Sequence, residues 1–225
     1  MNFFSTLLGG DVRIENTAFD SAGRNITVQQ FLPSAAGRYP AVLALHGSGG
    51  IREGWADQPS RLMAAQGYAV FVVHYFERTG TTWADPDSTR SHFPLWMQTI
   101  GDAITFAAKH DAVDARRIAL LGFSLGAYLA LSVASVEPRV KAVVDFFGGM
   151  PPELQGFTRM PPVLILHGEQ DRVVPVSEAT QLEQLPKRAG TPFEMKLYPG
   201  AGHGFSGLQL LDAGQRTVQF LKRYL

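Results

Sequence analysis

Six short, predominantly apolar runs recur along the chain: Ala41 to Leu45, Ala69 to Val73, Ile118 to Leu121, Val140 to Phe146, Val163 to Leu166 and Phe193 to Leu197. In all but the last, where Phe193, Met195 and Leu197 alternate with Glu194 and Lys196, apolar residues follow one another, and the runs are expected to be buried on both faces, as central strands of a parallel sheet are. Helical periodicity fills the gaps. Pro59 to Gln66 suits a first helix, and Trp96, Ile100, Ala103 and Ala107 recur at the spacing of one helical face in a second. Leu125 to Val136, Pro175 to Ala189 and Leu208 to Leu225 supply three more. Ahead of the first run, Arg13 to Phe19 and Asn25 to Leu32 flank a Ser21-Ala22-Gly23 turn signal and predict an opening hairpin. The alternation predicts a mostly parallel, doubly wound α/β sheet with helices on both faces and ligand chemistry at the carboxyl ends of its strands. The longest irregular pieces, Gly47 to Asp57, His74 to Ser91 and Phe147 to Pro161, all follow apolar runs and are expected over that same face.

At one point the pattern changes within a single residue. The strand-like run Ile118 to Leu121 leads into Gly122-Phe123-Ser124-Leu125-Gly126, and the helical run follows at once. A strand that turns directly into a helix forces the residue between them into a strained conformation and projects its side chain above the sheet edge. Ser124 is that residue, and side chains at Gly122 and Gly126 would collide where the two backbones approach. Chance alone supplies roughly 0.1 such G-x-S-x-G matches in a chain of this composition, so the surrounding residues must carry the reading.

Composition narrows the classes. With 225 residues, 45% of them hydrophobic, the chain can bury a full core as one domain, 1–225, without disulfides or metals. Twenty basic and twenty acidic residues balance, and no run of Lys or Arg tracks a phosphate backbone, which argues against nucleic acid as a partner. The absence of cysteine excludes a disulfide framework, a thiolate metal site and a cysteine nucleophile. Phe3 to Leu8 lacks the basic lead-in of a signal peptide, and no run reaches the ~18 apolar residues of a spanning helix. The expectation is a cytoplasmic protein with no membrane partner.

A serine hydroxyl needs an imidazole to take its proton and a carboxylate to hold that imidazole in the right tautomer. After Val163 to Leu166 comes His167-Gly168-Glu169-Gln170-Asp171-Arg172-Val173-Val174-Pro175, and after the last run comes Tyr198-Pro199-Gly200-Ala201-Gly202-His203-Gly204-Phe205. Asp171 and His203 are the expected carboxylate and base, each just past a strand end. Glu169 competes with Asp171 but sits closer to the strand, where it fixes the loop or faces solvent. His74, His92, His110 and His167 read as structural loop or strand-end residues. Ser, Asp, His in that chain order is the order of the α/β-hydrolase fold. The oxyanion of acyl transfer needs backbone N–H donors already in place. Leu125, at the helix start, supplies one. The second comes from His46-Gly47-Ser48-Gly49-Gly50, with Ser48 favoured and Gly49 in reserve.

With these three motifs together, the chain resembles the dienelactone hydrolase family of α/β-hydrolases from about Ala41 to the C-terminus. The resemblance implies a compact α/β-hydrolase fold without a large lid domain, hydrolysing esters or lactones with no cofactor and no metal. Two departures bear on substrate. The best-known members carry a cysteine nucleophile with a glutamate in the oxyanion loop, where this chain has Ser124 and Gly47. They also hold a substrate carboxylate with arginines, one shortly after the catalytic histidine, where this chain reads Phe205-Ser206-Gly207. Arg78 is the candidate to pair with such a carboxylate, and Trp83 and Phe76 are candidates to meet an apolar acyl or alcohol group.

The expected function is a serine hydrolase cleaving carboxylic esters or lactones of small substrates through an acyl-enzyme. Dienelactone (carboxymethylenebutenolide) hydrolysis proper is one alternative, and a small serine peptidase or acyltransferase using the same triad is another. A non-catalytic ligand-binding protein on the same fold is the alternative from a different class. The chain is expected as a monomer or homodimer.

Overall fold

The structure, a computed structural model, describes residues 10–52, 54, 56–151 and 159–225. The Phe3 to Leu8 stretch lies outside the described residues, as do parts of the irregular pieces after Leu45 and Phe146. Among the described residues eight strands follow one another in the order β1-β2-β4-β3-β5-β6-β7-β8, and the chain divides into two compact units.

The first unit, Met1–Ala44 with Gly49–Ile118, holds β1 (Val12–Ser21), β2 (Arg24–Pro33), most of β3 (Tyr39–Leu45), β4 (Ala69–Val73) and the start of β5 (Val113–Phe123). β1 and β2 form the expected antiparallel hairpin. Its two-residue turn has Ala22 at φ 47° and Gly23 at φ 79°, both in the left-handed region that matches the twist of paired strands. β2 then runs antiparallel to β4, and β3 pairs with β4 in parallel. Helix α1 spans Asp57–Ala65, and α2 runs for 23 residues from Pro86 to Ala108. Its start corrects the reading of His74 to Ser91 as one irregular piece. Asp85 and Ser88 form a reciprocal capping box, with Pro86 preset for the first turn. This polar beginning carries no apolar periodicity, so the hydrophobic pattern alone could not find it. The apolar face of α2 is buried at Trp96, Ile100, Ala103, Ile104 and Ala107, and the Trp96 indole N–H donates to Thr79 Oγ1 at 3.0 Å.

The second unit, Leu45–Ser48 with Ala119–Leu225, holds the end of β5, then α3 (Leu125–Val136), β6 (Val140–Phe146), β7 (Val163–Gly168) and β8 (Phe193–Tyr198). The last three strands are parallel neighbours. The expected helix over Pro175 to Ala189 is two helices, α4 (Val176–Leu182) and α5 (Gln184–Ala189), and α6 covers Gly207–Tyr224. Pro186, which has no N–H to continue a helical ladder, lies at the third position of α5, where that group needs no intrahelical acceptor. α3 is buried on almost every side, so it shows little amphipathic signal despite being a core helix.

Candidate active site

β5 ends at Phe123 and α3 begins at Leu125, leaving Ser124 alone between them at φ 52° and ψ −119°. A non-glycine residue pays steric energy there, of order 1–3 kcal/mol, so the surroundings must hold it. The Ser124 N–H donates to Phe146 O at 2.9 Å, tying the elbow to the end of β6. The flanking glycines are sterically required. A Cβ on Gly122 would lie 2.3 Å from Gly126 O, and one on Gly126 would lie 2.3 Å from Leu45 O and 2.5 Å from His46 O. The segment after β3 is thereby seated against the elbow. A Cβ on Gly47 would be 3.3 Å from both Phe123 O and Ser124 Cβ, leaving no room for a longer side chain without local adjustment.

The Asp171 and His203 loops are stitched together by main-chain bonds. Glu169 N donates to Tyr198 O at 3.1 Å and Gln170 N to Ala201 O at 2.9 Å. Gly168 makes this approach feasible, since a Cβ there would meet Gly202 O at 2.4 Å. Asp171 is buried, and its two oxygens are divided. Oδ1 accepts from Val173 N at 2.8 Å and Val174 N at 2.9 Å, while Oδ2 accepts from His203 Nδ1 at 2.7 Å. A carboxylate can only accept, so Nδ1 carries the ring proton and Nε2 is left bare. Nε2 lies 3.0 Å from Ser124 Oγ, whose hydroxyl donates to it. Burial acts to raise the Asp171 carboxyl, but the bonds from His203, Val174 and Val173 outweigh it and hold the group below its ordinary range. Glu169, by contrast, points to solvent.

The Leu125 N–H, on the residue after the serine, opens α3, where no intrahelical acceptor exists. Ser48 and Gly49 form an exposed turn after β3, preceded by His46, whose Nδ1 donates to Gly47 O at 2.8 Å. Arg78, Trp83 and Phe76 all belong to the first unit. Phe76 is buried in an aromatic cluster, its ring 4.9 Å from Tyr75 and 4.6 Å from Trp96, which commits it to packing. Trp83 is 62% exposed. Arg78 lies in a 3-10 turn, Tyr75–Arg78, with its Nε buried and unpartnered among the described residues.

Phe147 stands 4.8 Å from the His203 imidazole, edge to face, and contacts Phe205 at 5.5 Å; Phe123 stacks on Phe146 at 4.7 Å. Phe147 shares the left-handed region at φ 45°, and its N–H donates to Leu166 O. Sequence reasoning looked for an apolar wall in the long loop after β4 and missed this one, although Phe146-Phe147-Gly148-Gly149 past a strand end was the available signal. Buried Asp145 was missed as well. Its Oδ1 accepts from Gly148 N at 2.9 Å, closing the turn that holds Phe147. Among the described residues no group of three His, Asp or Glu is arranged to hold a metal ion, and no helix is long and apolar enough to cross a membrane.

The dienelactone hydrolase family model matches residues 26–224. A carboxymethylenebutenolidase homolog of Xenopus tropicalis is 27% identical, over 75% of this chain and 73% of its own. Among solved structures, a dienelactone hydrolase of Anabaena variabilis superposes with a TM-score of 0.75 at 17% identity, covering 95% of this chain and 99% of that one. P91, a dienelactone hydrolase-like promiscuous phosphotriesterase from metagenomic libraries, does so with a TM-score of 0.83 at 17% identity, over 96% and 99%. At those identities the structural likeness establishes the α/β-hydrolase fold, and the family match, running from the second strand to the end of the last helix, establishes the lineage: the chain belongs to the dienelactone hydrolase family.

Proposed function

We propose that this protein is a serine hydrolase that cleaves carboxylic esters or lactones of small substrates through an acyl-enzyme. The observation that carries the reading is the continuous hydrogen-bonded line from Asp171 Oδ2 through His203 to Ser124 Oγ. Ser124 Oγ attacks the ester carbonyl carbon while its proton passes to His203 Nε2. The carbonyl electrons move onto oxygen, which the N–H groups of Leu125 and Ser48 receive. The tetrahedral intermediate then expels the alcohol, which takes the proton from Nε2. Water attacks the acyl-enzyme with His203 as base, and the second intermediate releases the acid and restores the Ser124 hydroxyl. Asp171 holds the Nδ1–H tautomer and stabilises the imidazolium in both halves. For a lactone, the leaving alcohol stays tethered to the acyl group until water releases the open hydroxy acid.

The apolar wall of Phe123, Phe147 and Phe205 beside His203 favours substrates with an apolar group at the reacting centre. Arg78 remains the proposed partner for a substrate carboxylate, with Trp83 as a further substrate contact. The reading includes a single domain over 1–225, supported by the continuity of β5 through both units, and a cytoplasmic setting. The test is burst kinetics on p-nitrophenyl acetate and butyrate, with fluorophosphonate labelling of the wild type and Ser124→Ala. Ser124-dependent burst and labelling support the reading. Wild-type turnover that survives in Ser124→Ala, or a protein with neither burst nor labelling, overturns it.

A further inference from the structure

His203 and Ser124 need Asp171 in one orientation, and the geometry points to His167 as the residue that sets it. We infer that His167, at the end of β7, is a positioning residue for the catalytic carboxylate, acting through the main chain of Val174. The inference rests on the triad reading above.

His167 is fully buried, on a strand hydrogen-bonded to neighbours on both sides. Its Nε2 lies 2.9 Å from Val174 O, seven residues on. A carbonyl only accepts, so Nε2 carries the proton. That one bond spans the whole segment containing Asp171. Val174 is then gripped twice: its C=O by His167, and its N–H by Asp171 Oδ1 at 2.9 Å. The imidazole fixes where Val174 sits, Val174 together with Val173 fixes Oδ1, and Oδ2 is left facing His203 at 2.7 Å. The same Nε2 is 3.6 Å from Asp171 Oδ2, beyond a hydrogen bond, but it puts the positive end of the N–H dipole near the oxygen that must carry charge.

A purely packing role does not account for an imidazole here. Its other nitrogen, Nδ1, is buried with no hydrogen-bond partner among the described residues, a desolvation cost that an apolar side chain of similar size avoids. What the imidazole supplies and an apolar ring does not is the donor to Val174. The reach of that donor is specific. A glutamine amide nitrogen extends about as far as Nε2, whereas an asparagine amide stops near the Nδ1 position.

The test compares His167→Gln, His167→Asn and His167→Leu on p-nitrophenyl acetate, with every rate expressed per active site titrated by the burst, so that unfolded protein is not counted. The expected result is that Asn and Leu lower kcat by about 10- to 100-fold with KM within about 2-fold, as displacement of a catalytic group by ~1 Å does, while Gln keeps kcat within about 3-fold. Full kcat per titrated site in Asn or Leu overturns the inference, as does a loss in Gln equal to that in Leu, or a loss confined to KM. Ser124→Ala run alongside separates the two readings. If it keeps wild-type turnover, the triad assignment fails; if it is inactive and the His167 variants are not impaired, only the role of His167 fails.

Discussion

The Nε2 of His203 lies 3.0 Å from the Oγ of Ser124, although 79 residues separate them along the chain. Two independent devices produce that distance. The glycines of the elbow lift Ser124 clear of β5, and the main-chain bonds between the β7 and β8 loops carry His203 to it together with its carboxylate. The chemistry proposed here depends on both devices, and each can be tested separately.

Removing the proposed nucleophile is expected to leave the fold alone. Ser124→Ala is expected to lower kcat by about 10⁴-fold or more on p-nitrophenyl butyrate with an unchanged circular dichroism spectrum, because triad members act as a unit. A variant retaining a tenth of wild-type turnover excludes Ser124 as the nucleophile.

Asp171→Asn tests the tautomer. The Asn oxygen can still accept from Val173 and Val174, but its amide group then faces His203 Nδ1 and favours the ring with its proton on Nε2, where it cannot accept from serine. A loss of about 10⁴-fold in kcat is expected, with KM little changed. Glu169→Gln, at an exposed side chain, should leave both parameters within about 2-fold. The reverse ranking of these two variants would reassign the carboxylate.

Gly126→Ala tests the seating of the oxyanion segment. The added methyl would meet the main-chain Leu45 O at 2.3 Å, so the segment Leu45–Ser48 must move or the elbow must open. Overpacking of this kind costs about 1–3 kcal/mol, which should lower Tm by several degrees. Displacement of one oxyanion donor adds a fall of about 10²-fold in kcat. An unshifted Tm with full activity would mean that the elbow and the Leu45–Ser48 segment do not approach each other this closely.

Asp145 links stability to pH. Burial pushes its carboxyl up to about 7 from an ordinary value of 3.8, with the Gly148 N–H pulling the other way. Between those two values the unfolded chain has released a proton that the folded chain still holds. Folded stability is therefore lost as pH rises from about 3.8 to about 7 and is level above that, by roughly 4 kcal/mol at most for this group. Asp145→Asn keeps an acceptor for Gly148 N and cannot ionise. Its Tm difference from wild type should be near zero at pH 4 and rise by pH 8 to at most roughly 8 to 16 °C. A difference that does not change with pH would show that Asp145 ionises as freely in the folded chain as in the unfolded one.

Local pattern was enough for much of the scaffold. β4, β6 and α3 occupy the very residues their apolar runs marked, because a buried strand or helix must be apolar wherever it touches the core. The hairpin turn was legible because left-handed backbone is costly for most residues. The first turns of α2 were not legible, since a capping box stabilises polar residues that no hydrophobic period reveals.

For the site, the chain determined by itself which side chains have the needed chemistry and that a strand-to-helix turn strains Ser124, because both are local properties of residue type and order. Tertiary structure alone decided which carboxylate meets His203, that Phe147 stands beside it, and that His167 reaches Val174 O across the Asp171 turn. Each of those outcomes depends on where loops from different strands arrive in space. Main-chain bonds and glycine-sized clearances set those positions, and residue type along the chain does not encode them one by one.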